Sequence, residues 1–251
     1  MKLGTLYNAI PIPKSKVADS EKKNQDNSIN IIEDSNLKKY PKAKTYNQLK
    51  INYPMKTIIF DLGGVVLNRG IWIFHDYLSE EFKIPREKIV QVMIKTYYKD
   101  YFSGKISEEE YWTKCLKDLN IEADWKELRE KLIEFFEPQK EVIELISILK
   151  QKGHQIGLLS DQTKEWWSEL DKKHDLSKEF NFTIISAIEG ITKPDLEIYQ
   201  LMLSKTKNKP KNCIYIDDLK YNLPPAKNLG VQTIFFNNPN QLKEELTKIL
   251  K

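Results

Sequence analysis

From Lys56 onward, short β-branched apolar runs alternate with longer stretches in which polar and apolar residues are mixed. The first run, Thr57-Ile58-Ile59-Phe60, ends in Asp61 and the turn-forming pair Gly63-Gly64. It reads as a buried strand whose carboxyl end carries a carboxylate. Similar runs recur at Gln155 to Leu159, Phe182 to Ser186, Cys213 to Ile216 and Val231 to Phe236, with a stretch of helix length between each later run and the next. Strands that alternate with helices imply a parallel sheet covered on both faces, so the expected fold class is α/β, a doubly wound parallel sheet of about five strands. Gly153 and Gly230 fall where a helix should stop before a strand, a place that favours glycine.

The interval from about Ile71 to Glu137 contains no such run. Ile89, Val90, Met93 and Tyr97 share one helical face, and Leu128, Leu132, Phe135 and Phe136 another. Ser107, followed by Glu108, Glu109 and Glu110, has the form of a helix N-cap with acids in the first turn. Residues 71–137 therefore read as an all-helical cap inserted after the first strand, with 55–70 and 138–251 forming the α/β core. Residues 1–54 are rich in Lys, Asn, Asp and Ser, with apolar residues only in scattered pairs such as Ile31-Ile32. Such a segment buries too little apolar area to offset its ordering entropy, and a poorly ordered extension is expected there.

Composition changes this picture little. The 251 residues are 40% hydrophobic and 30% charged, as in soluble globular proteins, and no apolar stretch is long enough for a membrane span. The net charge of +4 is spread along the chain, giving no support to nucleic-acid binding. Cys115 and Cys213 are too few for a disulfide framework, and a cytoplasmic setting is expected.

Ligands of open α/β sheets bind outside the carboxyl ends of the strands. Four such places here carry reactive residues: Asp61 after the first run, Ser160 with Asp161 after the second, Lys193 in the loop after the third, and Asp217-Asp218 after the fourth. A carboxylate nucleophile, a hydroxyl, a fixed cation and an acidic pair together suit a phosphoryl group and a divalent metal.

The segments FDLGGVVLN, LLSDQ, TKPDLEIY and YIDDLKYNLPPAKNLG resemble, in order, the four motifs of the haloacid dehalogenase superfamily. The resemblance runs from about Lys56 to the C-terminus and implies a Rossmann-like core. The GKIS turn is similar to caps of the branch that holds sugar phosphatases and the N-terminal domain of epoxide hydrolases. The family pattern makes Asp61 the nucleophile that forms an aspartyl-phosphate and also a ligand of Mg2+. The Gly63 carbonyl and Asp218 become further ligands, Asp217 and Asn222 hold metal-bound waters, and Ser160 and Lys193 grip the phosphate oxygens. The implied function is magnesium-dependent release of phosphate from a small phosphorylated metabolite such as a sugar phosphate, with no nucleic acid or membrane partner.

Two positions depart from the pattern. The acid/base Asp that usually stands two residues after the nucleophile is Gly63. Asp161 replaces the usual Asn or Gly after the motif-two hydroxyl, and it is expected to turn outward and offer its backbone N–H to phosphate. His75 could supply the missing proton, but beside Trp72 and Phe74 it reads equally well as a buried histidine. Two other functions stay open. A 2-haloacid dehalogenase would use the same Asp61 without a metal and would gain nothing from Asp217-Asp218. A pseudophosphatase would be a binding module that has lost turnover with its acid.

Overall fold

The computed structural model describes residues 55–250, so the expected N-terminal extension, residues 1–54, lies outside the described residues. Five strands, β1 (Thr57–Phe60), β2 (Gln155–Ser160), β3 (Phe182–Ile185), β4 (Cys213–Asp217) and β5 (Gln232–Phe235), form one parallel sheet in the order β3-β2-β1-β4-β5. Central β1 is wholly buried. Its side chains alternate between two cores, as a period of two requires. Ile58 and Phe60 join the core on one face with Ile156, Leu158, Ile214 and Ile216. Ile59 faces the other core with Leu159, Ile184 and Tyr215. The expected strands are all present, and their order places the switch in winding direction at β1.

Helices cover both faces. Between β1 and β2 run α1 (Gly70–Phe82), α2 (Arg86–Val90), α3 (Tyr98–Phe102), α4 (Glu108–Leu119), α5 (Trp125–Glu134) and α6 (Lys140–Gln151). Then follow α7 (Lys164–His174), α8 (Ser186–Glu189), α9 (Leu196–Lys205), α10 (Leu223–Asn228) and α11 (Pro239–Ile249). Val142, Ile146, Leu242 and Leu246, from α6 and α11, pack on the Ile58 face, whereas Ile198, Tyr199 and Ala226, from α9 and α10, cover the Ile59 face. No helix among the described residues is long and apolar enough to cross a membrane.

The interval after β1 is helical throughout, and Ser107 caps α4 by accepting from the Glu110 N–H at 3.1 Å. The 3.6-residue spacing fails at Gln91–Thr96, which is a π-helical turn. There the Tyr97 N–H reaches back to the Val92 carbonyl, and Tyr97 packs half-buried against the same core as Ile89 and Met93. The third run also ends early. Ser186 opens α8 instead of closing β3, because its hydroxyl donates to the Phe102 carbonyl at 2.6 Å and accepts from the Gln162 N–H at 2.9 Å.

His75 lies on the buried face of α1, edge-on to Trp72 with ring centroids 5.5 Å apart. Neither ring nitrogen has a hydrogen-bond partner among the described residues. Burial, helped by the Arg86 charge, pushes the imidazole down to about 3, so the folded protein keeps it neutral. In the unfolded chain a histidine takes up its proton near pH 6.5. Below that pH unfolding binds a proton, and stability should fall by up to about 1.4 kcal/mol per pH unit until the folded-state value is passed. Urea denaturation of the parent and His75→Leu should show the two curves diverging between pH 6 and 4, the parent losing more; parallel curves would place the acid sensitivity elsewhere.

Candidate active site

The site forms where the carboxyl ends of β1 and β4 lie side by side. Phe60 pairs with Ile216, and the Asp61 N–H continues the ladder to the Ile216 carbonyl at 2.9 Å. Asp61 therefore emerges beside Asp217, and β4 hands on at once to Asp218. The carboxylate oxygens of Asp61, Asp217 and Asp218 lie within 4.8 Å of one another, and all three residues are buried. The chain turns back directly after Asp61, and Gln139 Nε2 donates to the Val65 carbonyl at 2.7 Å and the Gly64 carbonyl at 3.1 Å to hold that turn. Gly64 has φ +89°, and a Cβ there would lie 2.2 Å from Asp218 Oδ2. Glycine is thus required both for the conformation and for the approach of the turn to the carboxylate.

One ammonium organises the cluster. Lys193 Nζ lies 2.8 Å from both Asp61 Oδ1 and Asp217 Oδ2, with its side chain only 2% exposed. Asp217 Oδ2 also accepts from the Tyr215 hydroxyl and from Asn222 Nδ2 at 3.0 Å, while its Oδ1 accepts from the Leu219 N–H at 2.7 Å. Both oxygens of Asp217 are thus engaged within the protein. Asp218 differs. Arg69 Nε and Nη2 both reach its Oδ2 at 2.8 Å, whereas Asp218 Oδ1 and Asn222 Oδ1 are buried with no partner among the described residues. The Tyr199 hydroxyl fixes this loop by donating to the Asn222 carbonyl at 2.7 Å.

Three carboxyl groups face two basic side chains, Lys193 and Arg69. Burial drives the Asp61 carboxyl well above its ordinary range, and Asp217 and Asp218 add to this against the pull of Lys193. Burial, then Asp217, pushes Asp218 up to about 6 despite Arg69. Burial alone would lower Lys193, but Asp217 and Asp61 outweigh it and hold the ammonium protonated. Grouped hard oxygens, one more carboxyl group than basic side chains and two buried acceptors without donors are what a small divalent cation satisfies, and Mg2+ fits this donor set.

Ser160 ends β2, the neighbour of β1, and is 2% exposed. Asp161 does not turn outward: its Oδ1 accepts from the Lys193 N–H at 2.9 Å and so anchors the loop that carries the ammonium. Gly63 lies in the turn after Asp61, and no atom comes within 4 Å of where a Cβ would project from it. His75 makes no hydrogen bond to the cluster; its ring packs on Trp72 instead. Arg69, Gln139, Tyr199 and Tyr215 escaped the sequence reading. Tyr215 carried a usable signal, lying two residues before Asp217 on the same strand face. Arg69 lies 149 residues from Asp218, and no local spacing connects them.

The sequence profile of the haloacid dehalogenase-like hydrolases matches residues 55–230. The chain belongs to that family. It is 26% identical over 223 residues to the D-ribitol-5-phosphate phosphatase of Bacteroides thetaiotaomicron, covering 78% of this chain and 98% of that one. Bifunctional epoxide hydrolase 2 of Sus scrofa is 25% identical over 214 residues, 78% of this chain but 39% of the relative. The chain thus spans well under half the length of the bifunctional epoxide hydrolases it matches. Among solved structures, a HAD-like family hydrolase from Porphyromonas gingivalis superposes with a TM-score of 0.63 at 25% identity, covering 78% of this chain and 98% of that one.

The Asp161 contact yields a test of its own. In Asp161→Ala the buried Lys193 N–H loses its acceptor, which should cost about 1–3 kcal/mol. Asp161→Asn keeps an acceptor oxygen. Burial also holds the Asp161 carboxyl up at about 6, so ionisation above that pH destabilises the folded state, and the amide avoids this. Urea denaturation at pH 8 should therefore rank the asparagine variant at least level with the parent and the alanine variant clearly below. Equal losses in both variants would mean that the carboxylate charge matters and the contact does not.

Proposed function

We propose that this chain is a magnesium-dependent phosphatase that releases phosphate from a small phosphorylated metabolite through an aspartyl-phosphate on Asp61. The observation that carries this reading is the buried cluster itself, in which a nucleophilic carboxylate shares Lys193 with one acidic neighbour and lies beside a second that has an unpartnered oxygen. The phosphatase among its relatives supports the same chemistry. We also place the reaction in the cytoplasm, in keeping with the free, buried thiols of Cys115 and Cys213.

In this reading an Asp61 oxygen attacks phosphorus in line with the leaving oxygen. Lys193 and Ser160 bind the equatorial phosphoryl oxygens, so that charge is met by fixed donors and little reorganisation is needed. Asp61, the Gly63 carbonyl and Asp218 would hold Mg2+, with Asp217 and Asn222 on its waters. Bound metal supplies neutralising charge and orients the phosphoryl group. The unpartnered Oδ1 of Asp218, against the fully engaged oxygens of Asp217, supports this division of roles. Residues 71–137 act as a cap that excludes water over the carboxyl ends of the strands.

Asp61→Asn should abolish phosphate release while the far-ultraviolet circular dichroism spectrum stays unchanged, because an amide keeps the shape but is a poor nucleophile. EDTA should stop turnover and added Mg2+ restore it. A chain that releases halide from 2-haloacids in EDTA would instead be a dehalogenase.

Gly63 leaves the leaving group without a carboxylic acid. General acid catalysis contributes about 10² to 10⁴ in rate, and the need is greatest for basic leaving oxygens. Sugar 1-phosphates should therefore be preferred over 6-phosphates of the same sugar. Gly63→Asp should narrow the gap, since the space beside residue 63 is open. Measuring kcat/KM for both isomers decides it, and a parent that favours the 6-phosphate would contradict the expectation.

A further inference from the structure

Asp218 is gripped from the root of the helical insertion. Arg69, the residue immediately before α1, places both Nε and Nη2 at 2.8 Å from Asp218 Oδ2. Its backbone is fixed by its surroundings. The Arg69 carbonyl accepts from the Trp72 N–H at 2.9 Å in the first turn of α1. Next to it, the Asn68 N–H donates to the Glu137 carbonyl at 2.9 Å, and Asn68 Oδ1 accepts from the Glu137 N–H at 3.2 Å. A Cβ on Gly70 would lie only 2.6 Å from the Phe136 ring. Arg69 thus stands where the two links between the insertion and the core run side by side. The guanidinium is partly exposed, so two converging hydrogen bonds and a fixed backbone, rather than burial, keep it in place. On the other partner, Oδ2 is also crowded by the turn at Gly64, where a Cβ would come within 2.2 Å of it. Oδ1 of the same carboxylate is buried and has no hydrogen-bond partner among the described residues.

Resting on the magnesium-dependent phosphatase reading, we propose that Arg69 is the positioning residue of Asp218: it occupies Oδ2, leaves Oδ1 for the cation, and anchors that ligand to the root of the cap. A planar guanidinium fork directs its hydrogen bonds, which a point charge does not, so it sets the orientation of the carboxylate as well as balancing its charge. Carboxylates that ligate a metal are commonly oriented in this way, and loss of such a partner costs about 10- to 100-fold in metal affinity. Charge alone predicts the opposite sign, because a guanidinium repels a dication. An arginine that merely stood in for the cation would have to be displaced, and its removal would tighten binding. The direction of the change therefore separates the two roles.

Isothermal titration of the full chain with MgCl2, without substrate, reads this independently of turnover. Arg69→Met keeps an unbranched apolar stem and removes the donors, and its Mg2+ affinity should fall about 10- to 100-fold. Arg69→Lys returns a single donor to Oδ2 and should recover part of that loss, a rescue that a purely structural role of the stem would not produce. Urea midpoints of each variant, taken in the same buffer, establish that it is folded during the titration. If Arg69→Met does not fold, Arg69→Lys decides alone: affinity below the parent supports the positioning role, and equal or tighter affinity overturns it. Unchanged or tighter binding in folded Arg69→Met, or equal losses in the two variants, would overturn the role of Arg69 and leave the phosphatase reading standing. A parent that binds no Mg2+ would overturn both.

Discussion

The Lys193 ammonium, held at 2.8 Å from both Asp61 and Asp217, is the contact on which the rest of the site depends. Removing charges from water costs several kcal/mol per ion unless partners and hydrogen bonds compensate. The fold meets that demand around Asp217, whose two oxygens take donors from Lys193, Tyr215, Asn222 and Leu219. Asp161 secures the backbone of the same loop. The cluster holds Lys193 permanently, and it has one more carboxyl group than basic side chains.

Their hydrogen-bond partners give the acidic pair two different characters. Asp217, fully hydrogen-bonded, behaves as part of the framework. Asp218 shares one oxygen with the partly exposed Arg69 and leaves the other buried and unmatched. An exposed guanidinium can move at modest cost, whereas the Lys193 bridge cannot shift without uncovering two buried carboxylates.

The helical insertion contributes in a different way. It brings aromatic and polar groups to the sheet ends through contacts of α3 and α4 with the core, among them Phe102 with Ser186 and Glu108 with Trp166. Tyr101, Phe102, Tyr111 and Trp112 also pack around Trp166 of α7, so the insertion and the sheet share one hydrophobic core.

Much of this was legible from the order of residues. Strands buried on both faces must be continuous apolar runs, so the five strands stood out, and the topology rule then pointed to the residues after them. Asp61, Ser160, Lys193, Asp217 and Asp218 were picked out because each lies at or just past the end of an expected strand or in its following loop. Local chemistry also revealed the Ser107 cap and the glycine stops. What the order of residues did not carry was partnership across distance. The direction of Asp161, the pairing of Arg69 with Asp218 and the clamp from Gln139 join residues far apart in the chain, and each exists only because the parallel register sets strand ends side by side. The π-helical turn at Gln91–Thr96 likewise breaks the regular spacing on which periodicity depends. The sequence by itself determined the sheet and its reactive residues, because hydrophobic period and turn chemistry are local. Tertiary structure alone decided which charges meet, because burial makes that choice between residues with no spacing in common.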